Sequence, residues 1–333
     1  SSNPTNIILM IGDGMGYNYT RFAQLVEYGT TRNLTMMQLP SQLSSETFSA
    51  NSEITDSAAA ATAIAAGEKT NNGMISMSPN GTVLRTILEI AKSLGKATGL
   101  VATSYLQHAT PAAFMTHVMN RGSTSEISRQ IAEEASVDVL LGGGFSYFSE
   151  IQIDKMEQRG YSVLRNRSSL LAANAIPILG LFANSHMDYE QTRNLETIPS
   201  LEEMTNKSIE LLSQNEEGFF LMVEGSRIDH AGHANDKVNA ALDTIAFDAA
   251  VGLALDYVES HKNTLLIVTA DHETGGLTVV DSTLSEELPQ ELSEEEKRRE
   301  LRIERANNIT VSWSTDYHTS ADVPVFACGP KFG

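Results

Sequence analysis

Short, continuous apolar runs separated by longer stretches of helical periodicity predict an α/β fold, with a central, largely parallel β-sheet sandwiched by helices. Two further observations support that class. The runs are apolar throughout rather than alternating, as strands buried on both faces are. The polar residues capable of chemistry follow the runs directly, which is where ligands bind in such sheets. In chain order, strands are expected at Asn6 to Ile11, Ala97 to Thr103, Val137 to Leu141, Gly218 to Val223, Leu265 to Thr269 and Val323 to Ala327. Helices are expected around Thr82 to Leu94, Ser125 to Glu134, Leu201 to Ser213 and Lys237 to His261. The segment Glu286 to Arg305 is dense in charge and poor in core residues, with a capping box at Ser293 and Glu296 and an i,i+4 pair between Glu294 and Arg298. It reads as an exposed, solvated helix.

Composition narrows the function. The 333 residues carry 42 acidic and 23 basic side chains, a formal charge of -19, so the chain's own field repels nucleic acid. A small anionic substrate would need local positive charge from metal ions, Arg or a helix N-terminus. The single cysteine, Cys328, excludes an internal disulfide. No apolar run approaches the roughly 20 residues of a membrane helix, so no membrane partner is expected. The start at Ser1 rather than Met leads to the expectation that a targeting segment has been removed and that the protein is periplasmic or secreted.

The strongest chemical signal is a doubled Asp/His pattern. Asp229 and His233 stand one helical turn apart in Arg227-Ile-Asp-His-Ala-Gly-His233, and Asp271-His272 follows the run Leu265 to Val268. Neutral imidazole and carboxylate together are what zinc takes, and two such pairs suggest two ions and a metal-assisted hydrolase. Asp13 follows the first strand in Ile11-Gly-Asp-Gly-Met-Gly16, a spacing that is not that of a dinucleotide loop and that leaves room for a carboxylate to meet metal ions. Ser57 lies in the first turn of a helix opened by Thr55-Asp-Ser57, where the dipole favours an anion and a nearby metal can activate the hydroxyl. Within Gln107-His-Ala-Thr-Pro-Ala-Ala-Phe114, Thr110 suits a helix cap before Pro111, and Arg121 is the candidate for a bidentate grip on a tetrahedral anion. His117 reads as a packing or hydrogen-bonding residue. Glu224 follows a strand, and His318 could complete a two-His, one-carboxylate set with Asp229 and His233.

These blocks, IGDGMG, TDSAAAAT, HATPAAF with Asn120-Arg121, VEGSRIDHAGH, TADHETGG and YHT, resemble the alkaline phosphatases over essentially the whole chain. The resemblance implies one alkaline-phosphatase-like α/β domain over 1–333, with 281–312 as a reduced charged insertion. It implies Ser57 as the phosphorylated nucleophile and Arg121 as the phosphate clamp. One zinc would be held by Asp229, His233 and His318, and a second by Asp13, Asp271 and His272. A third, magnesium-type site would use Asp13, Thr110 and Glu224. His108 and His230 stand where enteric members carry Asp and Lys, and are expected to act through hydrogen bonds rather than as ligands. The implied substrates are phosphate monoesters of broad structure, with inorganic phosphate as product, and a homodimer is expected. Among alternatives, diesterases of this fold generally lack the Thr/Glu third site. The related phosphoglycerate mutases need an inserted domain, and Ser57 lacks the neighbours of a sulfatase nucleophile. A non-catalytic phosphate- or metal-binding protein would not need every catalytic position filled.

Overall fold

The structure, a computed structural model, describes residues 3–289, 294–330 and 332. Its strands, numbered in chain order, are β1 Asn6–Gly12, β2 Ser41–Ser45, β3 Ala97–Tyr105, β4 Val139–Gly143, β5 Ser162–Leu164, β6 Ile178–Leu181 and β7 Phe219–Gly225, followed by β8 Thr264–Thr269, β9 Glu273–Thr274, β10 Thr278–Asp281, β11 Thr310–Ser312, β12 His318–Thr319 and β13 Val323–Cys328. Nine of them form one sheet in the order β2-β13-β8-β1-β7-β3-β4-β6-β5. From β8 to β5 every pairing is parallel, whereas β13 runs antiparallel to both β8 and β2. The sheet is therefore mixed at one edge and otherwise as expected.

Successive side chains of a strand face opposite ways, so a strand covered on both faces must be apolar at every position. β1 shows this directly: Ile8 and Met10 enter one hydrophobic core, and Leu9 and Ile11 enter the other. β1 lies between β8 and β7, and Ile11 is level with Thr269 on one side and Glu224 on the other. The carboxyl ends of three strands distant in sequence thus meet at one point: Glu224 stands at the end of β7, and Asp13 and Asp271 follow β1 and β8.

The helix Lys237–Ser260 is long and apolar enough to cross a membrane by length and composition, which the sequence reading had not foreseen. Two-thirds of its most apolar stretch lies inside the protein, and Phe247, Ala250, Val251 and Ala254 are fully buried in the core.

The charged segment differs from expectation. Its helix, Glu295–Asn308, begins after Glu294, which makes no side-chain cap; the capping box assigned to Ser293 lies outside the described residues. The helix is not merely solvated. Arg298 and Arg302 both reach Glu27, a buried carboxylate on the helix Tyr17–Tyr28, and Arg305 donates to the carbonyls of Leu25 and Val26. Burial alone would raise Glu27, but the guanidinium bonds outweigh it and hold this carboxyl below its usual range. Arg298 is therefore engaged with Glu27 across the fold.

Candidate active site

The loop after β1 folds tightly because it must. Gly14 adopts φ 76°, and a Cβ there would sit 2.7 Å from Thr274 Oγ1 and 2.9 Å from the Asp229 Cα. The glycine thus lets three segments close on Asp13, while its own N–H donates to Asp271 Oδ1 at 3.1 Å.

Three groups of potential ligands result, each with its ligand atoms within 4.8 Å of one another: Asp229 with His233 and His318, Asp13 with Asp271 and His272, and Asp13 with His108 and Glu224. In the first, His233 Nδ1–H donates to Asp316 O at 2.7 Å and His318 Nδ1–H to Thr55 O at 2.8 Å. A neutral imidazole with its proton on Nδ1 presents a lone pair at Nε2. The two Nε2 atoms lie 3.1 Å apart, and each is 3.4 Å from Asp229 Oδ1. Facing lone pairs repel unless a cation or proton stands between them. Without a metal a proton takes that place: hydrogen bonding to Asp229 pushes His233 up to about 9. Burial would raise Asp229, but its bonds to His233 and His318 hold it well below its ordinary value.

The other two groups bring buried carboxylates together with an imidazole, and several of their oxygens have no hydrogen-bond partner. Both oxygens of Asp13, both of Glu224, Asp271 Oδ2 and Thr110 Oγ1 are inaccessible and lack a hydrogen-bond partner. Buried charge of one sign is costly unless a cation compensates it. Burial, reinforced by Asp271, Asp229 and Glu224, pushes Asp13 well above the ordinary carboxylate range, and burial foremost takes Glu224 to about 8. The donor set, carboxylate oxygens with imidazole nitrogens, fits divalent metal ions.

Thr110 does not cap its helix. That helix, Ala109–Met115, starts after His108, and Thr110 lies inside the first turn with its hydroxyl free. His108, expected to act through hydrogen bonds, is placed with a ring nitrogen in the cluster of Asp13 and Glu224, which makes it a candidate ligand. Its Nε2 is also 3.4 Å from Arg121 Nη2, and burial, aided by the Arg121 charge, holds the ring well below an ordinary histidine. Among the described residues His230 joins no ligand group; its ring packs 4.3 Å from that of His186, and burial takes it down to about 3. His186, absent from the sequence reading, also faces Tyr105 and His108.

Ser57 begins the helix Ser57–Ala66, whose cap is Asp56, through Oδ1 accepting from Ala59 N at 2.9 Å. Ser57 Oγ is thereby freed from capping and stands 3.0 Å from His272 Nε2. The other oxygen of Asp56 accepts from Gly73 N at 2.9 Å and from Arg121 Nη1 at 3.2 Å, tethering the guanidinium beside the helix start.

Thr274 was also missed by sequence reasoning, because its role exists only in tertiary contact. Its hydroxyl donates to Asp229 Oδ1 at 2.5 Å and accepts from His272 Nδ1 at 3.2 Å, so one side chain orients a ligand of each of two groups. Such outer contacts typically carry about 10- to 100-fold in metal affinity. Thr274→Val is expected to lose roughly that much and Thr274→Ser to keep most of it, as read by competition with a chromogenic chelator.

Residues 4–300 match the family model described as alkaline phosphatase. The chain is 36% identical over 389 residues to alkaline phosphatase 3 of Bacillus subtilis (strain 168), covering 98% of this chain and 84% of that protein. Among solved structures it is similar to the cold-active alkaline phosphatase of a psychrophilic Shewanella sp., with a TM-score of 0.86 and 31% identity over 98% of this chain and 94% of that one. A His-to-Asp variant of the alkaline phosphatase from the Antarctic bacterium TAB5, described with Mg bound in the M3 site, aligns with a TM-score of 0.80 and 30% identity over 99% and 92% of the two chains. Because the family match runs through β1, β7, β8 and the helices bearing Ser57 and Thr110, the chain belongs to the alkaline phosphatase family and is a metal-dependent phosphomonoesterase.

Proposed function

We propose that Ser57 is the nucleophile, forming a phosphoserine intermediate, and that two zinc ions and one magnesium-type ion are its cofactors. The observation that carries this reading is the position of Ser57 Oγ, 3.0 Å from His272 Nε2 at the head of a helix whose cap is supplied by another residue. Asp229, His233 and His318 would hold one zinc, and Asp13, Asp271 and His272 the other. Asp13, Glu224 and Thr110, with His108 beside them, would hold the third ion. When bound, these ions supply positive charge that lowers the hydroxyl's pKa and offsets charge on the phosphoryl group.

The chain's own residues do the rest. Ser57 Oγ, its proton given up to solvent, attacks phosphorus in line with the departing ester oxygen, which leaves with the bridging electron pair and takes a proton from water. Water then attacks the phosphoserine from the vacated side, breaking the bond from phosphorus to Oγ; the serine oxygen leaves with that electron pair and regains a proton from the solvent, and inorganic phosphate is released. Arg121, tethered by Asp56, grips two phosphoryl oxygens, and the positive end of the helix Ser57–Ala66 faces the same anion. No contact in this scheme reaches the ester's organic part, which supports broad monoester specificity. His186 and His230 pack against His108, which itself stands beside Arg121, and burial keeps both imidazoles neutral.

Anomalous scattering at the zinc edge tests the metal assignment. Two strong peaks roughly 4 Å apart are expected, with the third site weak; a single peak would overturn the partition of ligands.

A further inference from the structure

The segment that carries Arg121 belongs neither to a helix nor to the main sheet. Val118 and Ile75 exchange backbone bonds of 2.9 and 3.0 Å, and Arg121 N donates to Gly73 O at 2.7 Å. Directly after this short ladder, next to Ile75, lies Ser76, fully buried and with φ 45°, a left-handed conformation that a residue with a side chain keeps only when its surroundings impose it.

Those surroundings make Ser76 a junction. Its N–H donates to Thr62 Oγ1, on the helix that begins with Ser57, at 2.9 Å, and its hydroxyl donates to Ala113 O, on the helix that carries Thr110. Its carbonyl accepts from Leu84 N and from His117 Nδ1, each at 2.9 Å. The nucleophile's helix, the helix of the third ligand group and the segment leading to Arg121 therefore meet at one strained residue.

His117 closes the junction. Its Nδ1 faces the Ser76 carbonyl, which can only accept, and its Nε2 lies 2.8 Å from Glu89 Oε1. A neutral imidazole has a single N–H and cannot donate to both; an imidazolium can. Glu89 is itself fixed, its Oε2 accepting from Thr86 N at 2.8 Å in the capping box of the helix Ile87–Ser93. The charges that bear on the ring are Glu89, from that helix, and Glu134, which caps the helix Thr124–Glu133; Lys92 lines the same groove but is paired with Asp138 at 2.7 Å. Burial would lower His117, but the bonds to Glu89 and Ser76 and the two acidic charges outweigh it and hold the ring above an ordinary histidine. Glu89 is correspondingly held below its usual range.

We propose that His117 is a positioning residue whose imidazolium form fixes the Arg121 segment, so that the grip on phosphate weakens when His117 loses its proton. The proposal rests on Arg121 being the phosphate clamp. Below the pKa of His117 both of its bonds stand. Above it one acceptor loses its donor, Ser76 loses support, and the segment anchoring the guanidinium loosens. His117 is in none of the three ligand groups.

The test is the inhibition constant of inorganic phosphate against pH, for metal-loaded wild type, Glu89→Gln and His117→Gln, together with the ¹⁵N NMR signature of the His117 ring. Glutamine at position 89 keeps an acceptor and a capping side chain but removes the charge. The alkaline-side inflection in phosphate affinity is expected to move down by about 1 pH unit in Glu89→Gln and to vanish in His117→Gln. In wild type both ring nitrogens are expected to be protonated at neutral pH and to titrate at that inflection. An inflection unmoved in both variants, or a singly protonated ring at neutral pH, would overturn the proposal while leaving the function intact. A wild type with no affinity for phosphate would overturn the Arg121 reading and this proposal together.

Discussion

Ser57→Ala is expected to lower kcat for a chromogenic phosphate monoester by roughly 10³-fold while leaving the metal content unchanged. The loss follows from removing the atom that attacks phosphorus. It stops short of complete inactivity because the groups that bind and neutralise the phosphoryl oxygens survive, and such groups sustain residual catalysis by water. Folding should be little affected. Ser57 does not cap its helix; Asp56 does, and among the described residues the side-chain bond lost is that to His272. Acid quenching of the wild type during turnover should trap phosphate on Ser57, seen by mass spectrometry of the peptide, and the variant should trap none. Trapping on another residue would exclude Ser57 as nucleophile.

Metal removal should have an equally large effect, and one that depends on pH. A chelator is expected to abolish turnover and to lower the melting temperature, since a ligand present at about 1,000 times its Kd stabilises the folded state by about 4 kcal/mol. The metal-free protein should also respond to pH in a direction fixed by its buried groups. Glu224 rises from an ordinary 4.5 to about 8 in the folded, metal-free chain, and Asp13 is raised as well, both foremost by burial. A folded state that holds protons more tightly than the unfolded chain loses stability as pH rises. His233, raised from 6.5 to about 9 by Asp229, acts in the same sense, its contribution being complete below the unfolded value and lost through the folded one. The imidazoles of His108, His186, His230 and His272, all held below their ordinary value by burial, act in the opposite sense below about pH 6.5. The melting temperature of the metal-free protein should therefore fall between about pH 7 and about pH 9, where the raised groups lose their protons, whereas the metal-loaded protein, whose ligands are already deprotonated, should change far less. The gap between the two curves widens with pH. Parallel curves in calorimetry would mean that the ions do not occupy these sites.

The parts of the fold legible in the sequence are those where burial is complete. Phe219 to Val223 and Leu265 to Thr269 read as strands because both faces of the sheet are covered, so nearly every position had to be apolar. β2, Ser41–Ser45, was not visible: it is a polar edge strand with exposed side chains and no hydrophobic pattern to read. β5 is short, and it and β6 likewise gave no signal strong enough to separate from the loops around them. The helix predicted over Thr82 to Leu94 occupies Ile87–Ser93, because the box of Thr86 and Glu89 sets its start.

The site shows the same division. Ligand types that stand together in sequence, such as Asp271-His272, announce themselves. Thr274 and His186 do not, since a hydroxyl between two candidate ligands and a ring packed against those of His108 and His230 gain meaning only once β1, β7 and β8 are adjacent. Thr110 shows the same division: Thr before Pro is the local signature of a helix start, so the local pattern suits a cap while the family resemblance implies a place in the third site, and the structure leaves its hydroxyl unpartnered within the first turn.

The central position of β1 also determines when this enzyme can come into being. Asp13 is made long before its partners: the Asp271 that hydrogen-bonds its loop is 257 positions from Gly14, and His318 comes later still. At about 5–20 residues per second of synthesis, the first strand must wait tens of seconds for its neighbour β8, with its apolar face unpaired and in need of protection. Pairings so remote in sequence close slowly. The two Asp/His groups therefore cannot assemble until His272 and His318 have been made, whereas the group of Asp13, His108 and Glu224 is complete earlier, so catalytic competence waits on the later segments.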